Sequence, residues 1–329
     1  MTPSSERFMN DLGIEVPLIC GPMFPGSNPE LIAAVSEAGG IGVIQPVTMT
    51  FMYKHALRDG IRKIRELTAK PIGMNFTLMQ GVKIYEQRTR EWMDIAIEEG
   101  IKFFVTSLGD PTAVVREAEK HGIRVVHDVT NRAFAQRAVD AGVYGLNCVN
   151  NRAGGQTGQI APERMIDELQ DLGVPLVCAG GVGDENGFRT ALEQGYAAVQ
   201  VGTRFLATPE CQVNQDYKQC IVDSSEGDIV ITNKLAGTDS SVIRTPDIER
   251  LGLKAGPIAS RMLRGRKTKK LMRMLFLLRT SWRYKRLTNT DAGQYWQAGR
   301  GIGAIHEIAP AGDIVKRFAA SMERPSAAH

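Results

Sequence analysis

The sequence predicts an α/β protein whose alternating strands and helices close into a TIM (β/α)8 barrel, with a smaller, mainly helical subdomain. Between Val16 and Phe205, a short apolar run, a small-residue turn and a helical stretch ending in glycine recur eight times. Most of these runs are continuously apolar, which is typical of parallel strands buried on both faces beneath helices. Eight such units are the number that a closed barrel requires.

The strands and helices can be assigned in order along the chain. The predicted strands are Val16–Cys20, Ile41–Ile44, Pro71–Asn75, Lys102–Thr106, Ile123–His127, Val143–Cys148, Val174–Cys178 and Ala197–Val201. The predicted helices between them are Pro29–Ala38, Tyr53–Leu67, Glu86–Glu98, Pro111–Lys120, Asn131–Asp140, Pro162–Asp171 and Glu185–Gln194. A doubly wound open sheet is the main alternative, but no G-x-G-x-x-G motif follows the first strand, which argues against its dinucleotide-binding form.

The alternation stops after Pro209, and this change predicts a second structural unit. We assign residues 1–209 and 291–329 to the barrel, with Gln294–Met322 returning to it as a closing helix. Residues 210–290 are expected to form a mainly helical subdomain that caps the substrate site and carries a basic segment.

The composition is that of an ordinary enzyme, with 43% hydrophobic and 23% charged residues and a net charge of +4. This modest charge does not predict a nucleic-acid partner. The five cysteines form no close pair of the kind found in metal or redox motifs. Without an export leader or an apolar run of about 18 residues, we expect a cytoplasmic protein with no membrane span and no metal.

In a TIM barrel the catalytic and binding groups lie at the C-terminal ends of the strands. The candidate segments are therefore Gly21-Pro22-Met23, Gln45, Asn75, Thr106-Ser107, His127-Asp128, Asn150–Gly158, Ala179–Gly181 and Gly202–Arg204. The last two follow strands seven and eight, where such barrels frequently bind phosphate. The backbone N–H groups of glycines at Gly180 and Gly181 can approach an anion closely, and Gly202-Thr203 opens a short helix with free donors. Arg204 is expected to add positive charge.

The motifs together are similar to those of a known family. They are Pro17–Met23, the helix Pro29–Ala38 with Gly39–Gly42 after it, Pro71–Asn75, Ala153–Gly155, Ala179–Gly181, Gly202–Phe205 and Gln297–Gly299. In order and spacing the chain resembles the nitronate monooxygenase (2-nitropropane dioxygenase-like) flavoproteins. That group also contains FMN-dependent enoyl-thioester reductases and NADH:quinone reductases. The resemblance runs from Val16 to Phe205 and resumes near Trp296.

The resemblance implies FMN as the cofactor and assigns a role to each matching position. It places Pro22 and Met23 beside the flavin ring, Asn75 at the polar edge of the ring and His127 near the ring. The remaining implied contacts are Gly154 and Gly155 against the isoalloxazine, Ala179, Gly180, Gly181, Gly202 and Thr203 around the phosphate, and Gln297 and Gly299 on the far side. A strand-end cap at Asn75 and a structural hydrogen bond at His127 remain the alternatives.

Position 156 departs from the family pattern. Most members have a histidine directly after the Gly-Gly pair, where it takes or donates a proton, but this chain has Gln156. An amide cannot exchange a proton near neutral pH, although it can donate a hydrogen bond to a substrate oxygen. Gln156 and His127 are therefore the candidate catalytic residues, while Asp128 and Asp184 are more typical of a solvated loop or a helix cap.

A basic segment, Arg261–Arg286, contains eleven lysines or arginines and no acidic residue. One interpretation is a solvated helix face over the barrel. The other is a binding surface for an anionic coenzyme A or acyl-carrier thioester. An anionic membrane or a quinone pool fits less well, and no nucleic-acid recognition motif accompanies the charge.

Three functions follow from this reading. The first is an FMN-dependent oxidoreductase that oxidises alkyl nitronates with dioxygen. The second is an NAD(P)H-linked reductase or dehydrogenase that acts on unsaturated acyl thioesters, and the third is a non-catalytic flavin-binding protein. The sequence leaves open the physiological substrate, the reductant and the oligomeric state, a homodimer included.

Overall fold

The structure is a computed structural model that describes residues 2–79, 83–235, 237–254 and 294–322, with the single residues 256, 259, 261 and 268. Apart from Arg261 and Thr268, the basic segment lies outside the described residues. The binding roles expected for that segment therefore stay predictions.

Eight parallel strands form a closed barrel, which confirms the predicted fold class. They are β1 (Leu18–Cys20), β2 (Ile41–Ile44), β3 (Ile72–Thr77), β4 (Phe103–Ser107), β5 (Arg124–Val129), β6 (Gly145–Val149), β8 (Leu176–Ala179) and β9 (Ala198–Val201), with β7 (Gly155–Gln156) outside the barrel. Closure occurs where β1 pairs with β9, Leu18 lying opposite Val199. Every predicted barrel strand is present, with ends shifted by at most two residues.

Helices surround the barrel. They are α1 (Pro3–Leu12), α2 (Pro29–Glu37), α3 (Leu57–Leu67), α4 (Lys83–Glu98), α5 (Thr112–Lys120), α6 (Arg132–Asp140), α7 (Pro162–Leu169), α8 (Glu185–Glu193) and the short α9 (Thr203–Leu206). Asp184 is the N-cap of α8, because its Oδ1 accepts a hydrogen bond from the Gly187 N–H at 2.8 Å. The predicted helix Tyr53–Leu67 begins later than expected, since a π-helical turn, Thr48–Met52, precedes it.

Strand alternation divides the apolar core into two layers. Inward-facing residues such as Val43, Val105 and Val126 fill the lower barrel, and outward-facing residues pack beneath the helices. Helix α1, which the sequence reading did not identify, closes the N-terminal end of the barrel. Its fully buried Phe8 contacts the Phe103 ring edge-on, with 6.4 Å between ring centroids.

The described residues after Pro209 contain a hairpin as well as helices. Helix α10 (Gln215–Asp223) is followed by β10 (Ile229–Thr232), β11 (Ser240–Ile243) and α11 (Pro246–Leu251). Strand β11 also pairs with β7, which makes a three-stranded antiparallel sheet attached to the rim of the barrel. The hairpin was not predicted. The division at residues 210–290 stays a prediction, because most of residues 255–293 lie outside the described part.

The C-terminal part of the described chain packs against the barrel. A 3₁₀ turn, Arg300–Ala304, precedes α12 (Ala311–Met322), which packs against α2 and α8. Phe318 of α12 stacks on Phe188 of α8 with ring centroids 5.0 Å apart. Among the helices described, none combines the length and the apolar composition that crossing a membrane requires.

We predict that Phe8→Ala lowers the free energy of unfolding by about 3–5 kcal/mol, because it leaves a cavity under the closed end of the barrel. Urea denaturation measures the change. Phe134→Ala is the matched control, because the Phe134 ring is 47% exposed, and its effect should stay below about 1 kcal/mol. Equal losses in the two variants would contradict the role of α1 as a buried closure.

Candidate active site

A cleft opens at the C-terminal ends of the barrel strands and encloses about 1150 Å³, its open mouth included. This is the end at which TIM barrels bind their ligands. Of the residues predicted to bind the cofactor or to act in catalysis, all but His127 line this cleft. They are Pro22, Met23, Asn75, Gly154, Gly155, Gln156, Ala179, Gly180, Gly181, Gly202, Thr203, Gln297 and Gly299.

The two predicted anion loops present free backbone donors to the cleft. Among the described residues, the N–H groups of Gly180, Gly181 and Thr203 find no hydrogen-bond acceptor. Gly180 and Gly181 have φ angles of 121° and 89°, a region of backbone conformation that favours glycine. The side-chain amide of Asn150 holds this loop by donating to the Gly180 carbonyl at 3.0 Å. The arrangement suits a phosphate group.

Three loops meet at this rim with almost no space between their backbones. A Cβ atom on Gly180 would lie 2.5 Å from the Ala153 nitrogen, and one on Gly154 would lie 2.7 Å from the Gly299 nitrogen. The Gly299 N–H in turn donates to the Thr203 hydroxyl at 3.0 Å. Glycine is therefore required here for close packing as well as for access to an anion.

The floor of the cleft is polar. Below it, the barrel interior is apolar, but the inward-facing residues nearest the mouth carry amides, hydroxyls and a carboxylate. They are Gln45, Asn75, Thr77, Ser107, Asp128 and Gln200. The Gln200 Oε1 atom is buried and accepts no hydrogen bond from any described residue. The sequence reading missed Gln200, although a glutamine inside the apolar strand Ala198–Val201 was a signal.

Asp128 is the floor residue with the strongest electrostatic perturbation. The Asn147 side-chain amide donates to its Oδ1 at 2.6 Å. Burial raises the pKa of Asp128 to about 6, and the hydrogen bond from Asn147 acts in the opposite direction. The carboxyl group therefore titrates close to neutrality.

The expectation that His127 points into the barrel mouth is wrong. Because side chains alternate along β5, Val126 and Asp128 face the interior and His127 faces the helices. His127 is 5% exposed, and its Nδ1 lies 2.9 Å from the Thr106 hydroxyl. Burial lowers its pKa to about 4. The structural alternative therefore accounts for this residue.

Gln156 lies at the edge of the cleft on β7, opposite Ser240 of β11. Its side chain is exposed, and its amide makes no hydrogen bond to a described residue. Pairing of β7 with β11 positions the backbone of Gln156 at the mouth of the cleft, and its side-chain N–H donors are available there.

The Arg204 side chain does not line the cleft. Its side chain is 3% exposed and its Nη1 donates to the Glu307 carbonyl at 2.8 Å, so it ties α9 to the segment before α12. Burial lowers its pKa to about 10. Its Nε and Nη2 atoms are buried and find no partner among the described residues, so the donors that line the cleft at these loops are backbone N–H groups.

A family model described as nitronate monooxygenase matches residues 5–320. The chain belongs to the nitronate monooxygenase family. The resemblance that the motifs indicated is thereby confirmed, and the match spans the barrel, the hairpin region and most of α12.

Individual proteins and solved structures are also similar to this chain. A nitronate monooxygenase of Pseudomonas aeruginosa is 30% identical over 276 residues, which cover 71% of this chain and 78% of that protein. A (3aS,4S,5R,7aS)-5-hydroxy-7a-methyl-1-oxo-octahydro-1H-indene-4-carboxyl-CoA dehydrogenase of Mycobacterium tuberculosis is 26% identical, covering 83% of this chain and 75% of that protein. The solved structure of FabK from Thermotoga maritima is 28% identical, with a TM-score of 0.79 and 96% of each chain covered.

We predict that His127 makes the stability of this family member depend on pH. Its folded pKa of about 4 lies below the ordinary value near 6.5, so its contribution is lost as the pH falls from about 6.5 to about 4. In urea denaturation, the stability advantage of the wild type over His127→Gln should shrink by on the order of 3 kcal/mol between pH 7 and pH 4. An advantage that is constant with pH would show that His127 is accessible to protons in the folded state.

Proposed function

We propose that the protein is an FMN-dependent oxidoreductase that oxidises alkyl nitronates with dioxygen. The observation that carries the proposal is the set of free N–H donors at Gly180, Gly181 and Thr203, at the ends of β8 and β9. A phosphoryl group held there would direct the rest of the cofactor across the cleft. Membership of the nitronate monooxygenase family supports the nitronate as substrate.

The residues of the cleft fit FMN chemically. Its phosphate needs hydrogen-bond donors, which the backbone N–H groups of the two loops offer. Its ring carries an N–H donor and carbonyl acceptors, and Gln200 Oε1 is a buried acceptor without a partner while Asn75 supplies a side-chain amide. When bound, FMN supplies the acceptor for the electrons of the substrate. We propose that Pro22, Met23, Gly154 and Gly155 flank the ring.

The chain itself binds and orients the substrate. We propose that the Gln156 amide donates a hydrogen bond to a nitronate oxygen, and that Gln297 and Gly299 close the opposite wall. A preformed nitronate is already an anion at the reacting carbon, so its oxidation needs no base. The absence of an acid–base group at position 156 is therefore compatible with this reaction.

A second candidate is an NAD(P)H-linked reductase or dehydrogenase acting on an acyl thioester of coenzyme A or an acyl-carrier protein. The name of the Mycobacterium tuberculosis relative, a carboxyl-CoA dehydrogenase, favours it. The basic segment would then hold the phosphates of the carrier. All five cysteines are free, which supports a reducing compartment, and we propose the cytoplasm as the location.

Anaerobic stopped-flow mixing tests the proposal. The purified protein is loaded with FMN and mixed with ethyl nitronate or with NAD(P)H while the flavin absorbance near 450 nm, roughly the usual oxidised band, is followed. Bleaching by the nitronate and reoxidation by dioxygen are expected. Bleaching by NAD(P)H alone would favour the second candidate, and no bleaching by either would leave a non-catalytic flavin-binding protein.

We predict that Gly181→Ala weakens FMN binding by about 10- to 100-fold, because it displaces a donor that makes a charge-assisted hydrogen bond to the phosphate. Riboflavin, which lacks the phosphate, should bind the variant about as well as the wild type. Fluorescence titration measures both ligands. Gly173→Ala is the matched control, because Gly173 has a similar positive φ of 72° but no atom near the added Cβ and no place in the cleft. Equal losses for FMN and riboflavin would refute a phosphate site at this loop.

A further inference from the structure

Among the described residues that line the cleft, Asp128 is the one with a carboxylate side chain. A neutral nitroalkane must lose a proton from carbon before it can react as a nitronate, and Gln156 cannot take that proton. Among the described residues that line the cleft, Asp128, Arg152 and Tyr217 are the ones with titratable side chains. A base for the neutral substrate must come from this short set.

Two members of the set are committed to other contacts. The Arg152 guanidinium pairs with Glu163 at 2.9 Å, and it has no lone pair to offer a proton. The Tyr217 hydroxyl donates to the Gln297 carbonyl, and its ring stacks on Trp296. Asp128 is the remaining candidate, because its carboxylate oxygens are basic and its side chain lines the cleft.

The environment of Asp128 leaves one of its oxygens available. Asn147 donates to Oδ1 at 2.6 Å and so fixes the plane of the carboxylate. Oδ2 accepts no hydrogen bond from a described residue. The atom is not fully buried, so it is open to the cleft. A carboxylate with one oxygen anchored and the other free is oriented for proton transfer.

We propose that Asp128 is the general base that removes the α-proton from a neutral nitroalkane, in the place of the histidine of the family at position 156. The C–H bond breaks and the proton passes to Asp128 Oδ2. The electron pair left on carbon forms the C=N bond of the nitronate while the π pair of one N=O bond moves onto its oxygen, which carries the negative charge. No oxidant is consumed in this step. The inference rests on the proposed function, because it assumes that the substrate binds in this cleft.

The electrostatics agree with this role. Burial raises the pKa of Asp128 to about 6, so the group is ionised at neutral pH and more basic than an ordinary aspartate. Few charged groups surround it. His127 on the same strand and the Cys148 thiol on β6 both face the helices, and Arg152 of the cleft is paired with Glu163. The rate of proton removal should therefore rise with pH through about 6 and level off above it.

Proton abstraction can be measured without any redox step. Protein loaded with FMN is incubated anaerobically with nitroethane in deuterated buffer, and proton NMR follows the exchange of the α-hydrogens above the uncatalysed rate. We expect Asp128→Asn to reduce this exchange by about 10²- to 10⁴-fold. Asp110→Asn is the matched control, because Asp110 is exposed, lies on the loop after β4 outside the cleft, and keeps its Oδ1 cap of Thr112 when changed to asparagine.

Nitronate oxidation separates this inference from the proposed function. In Asp128→Asn, the loss of α-hydrogen exchange should exceed any loss in the oxidation of preformed ethyl nitronate by at least about tenfold, since the nitronate needs no base. The inference is overturned if the wild type catalyses no exchange, if exchange persists in Asp128→Asn, or if nitronate oxidation falls as much as exchange. Failure of the wild type to oxidise the nitronate, with exchange intact, would overturn the proposed function alone.

Discussion

Closure of the parallel barrel through β1 and β9 is the constraint on which the site depends. It brings eight strand ends to one rim and assigns each residue of a strand to one of two surroundings, since successive side chains face opposite sides. The lower interior is filled by apolar side chains, so only the positions nearest the mouth can carry polar groups. The polar floor and the apolar interior beneath it therefore both follow from the alternation of side chains along the strands.

The rim is shaped by backbone packed against backbone. Gly154, Gly180 and Gly299 lie so close to neighbouring main-chain atoms that a Cβ on any of them would overlap a partner. This packing leaves the N–H groups of Gly180 and Gly181 directed away from other protein acceptors. An anion bound there would accept the hydrogen bonds that these N–H groups do not make within the fold. The free donors are therefore stronger support for an anion site than the glycine pattern alone.

The sequence predicted the barrel, its strands and most of the lining of the cleft, because burial on both faces and strand-end glycines leave local signals. It did not predict correctly which side chains of β5 face the barrel interior and which face the helices. The strand continues to Val129, two residues past its predicted end, so His127 lies within the sheet, where it faces the helices and Asp128 faces the cleft. The hairpin Ile229–Ile243 was missed because its pairing with Gly155–Gln156 is a contact between segments far apart in sequence. Helix α1 was missed because its short apolar set, Phe8, Met9 and Leu12, precedes the repeating pattern.

The exchange of histidine for Gln156 is best understood together with the floor. At the mouth, solvent keeps an ionisable group near its ordinary pKa, whereas a carboxyl group at the floor loses hydration and becomes a stronger base. In the proposed roles, an amide at the mouth and a carboxylate below it supply what a neutral nitroalkane requires, a donor for its nitro oxygen and an acceptor for its α-proton. The two are supplied by different strands, β7 and β5, so either can change without moving the other.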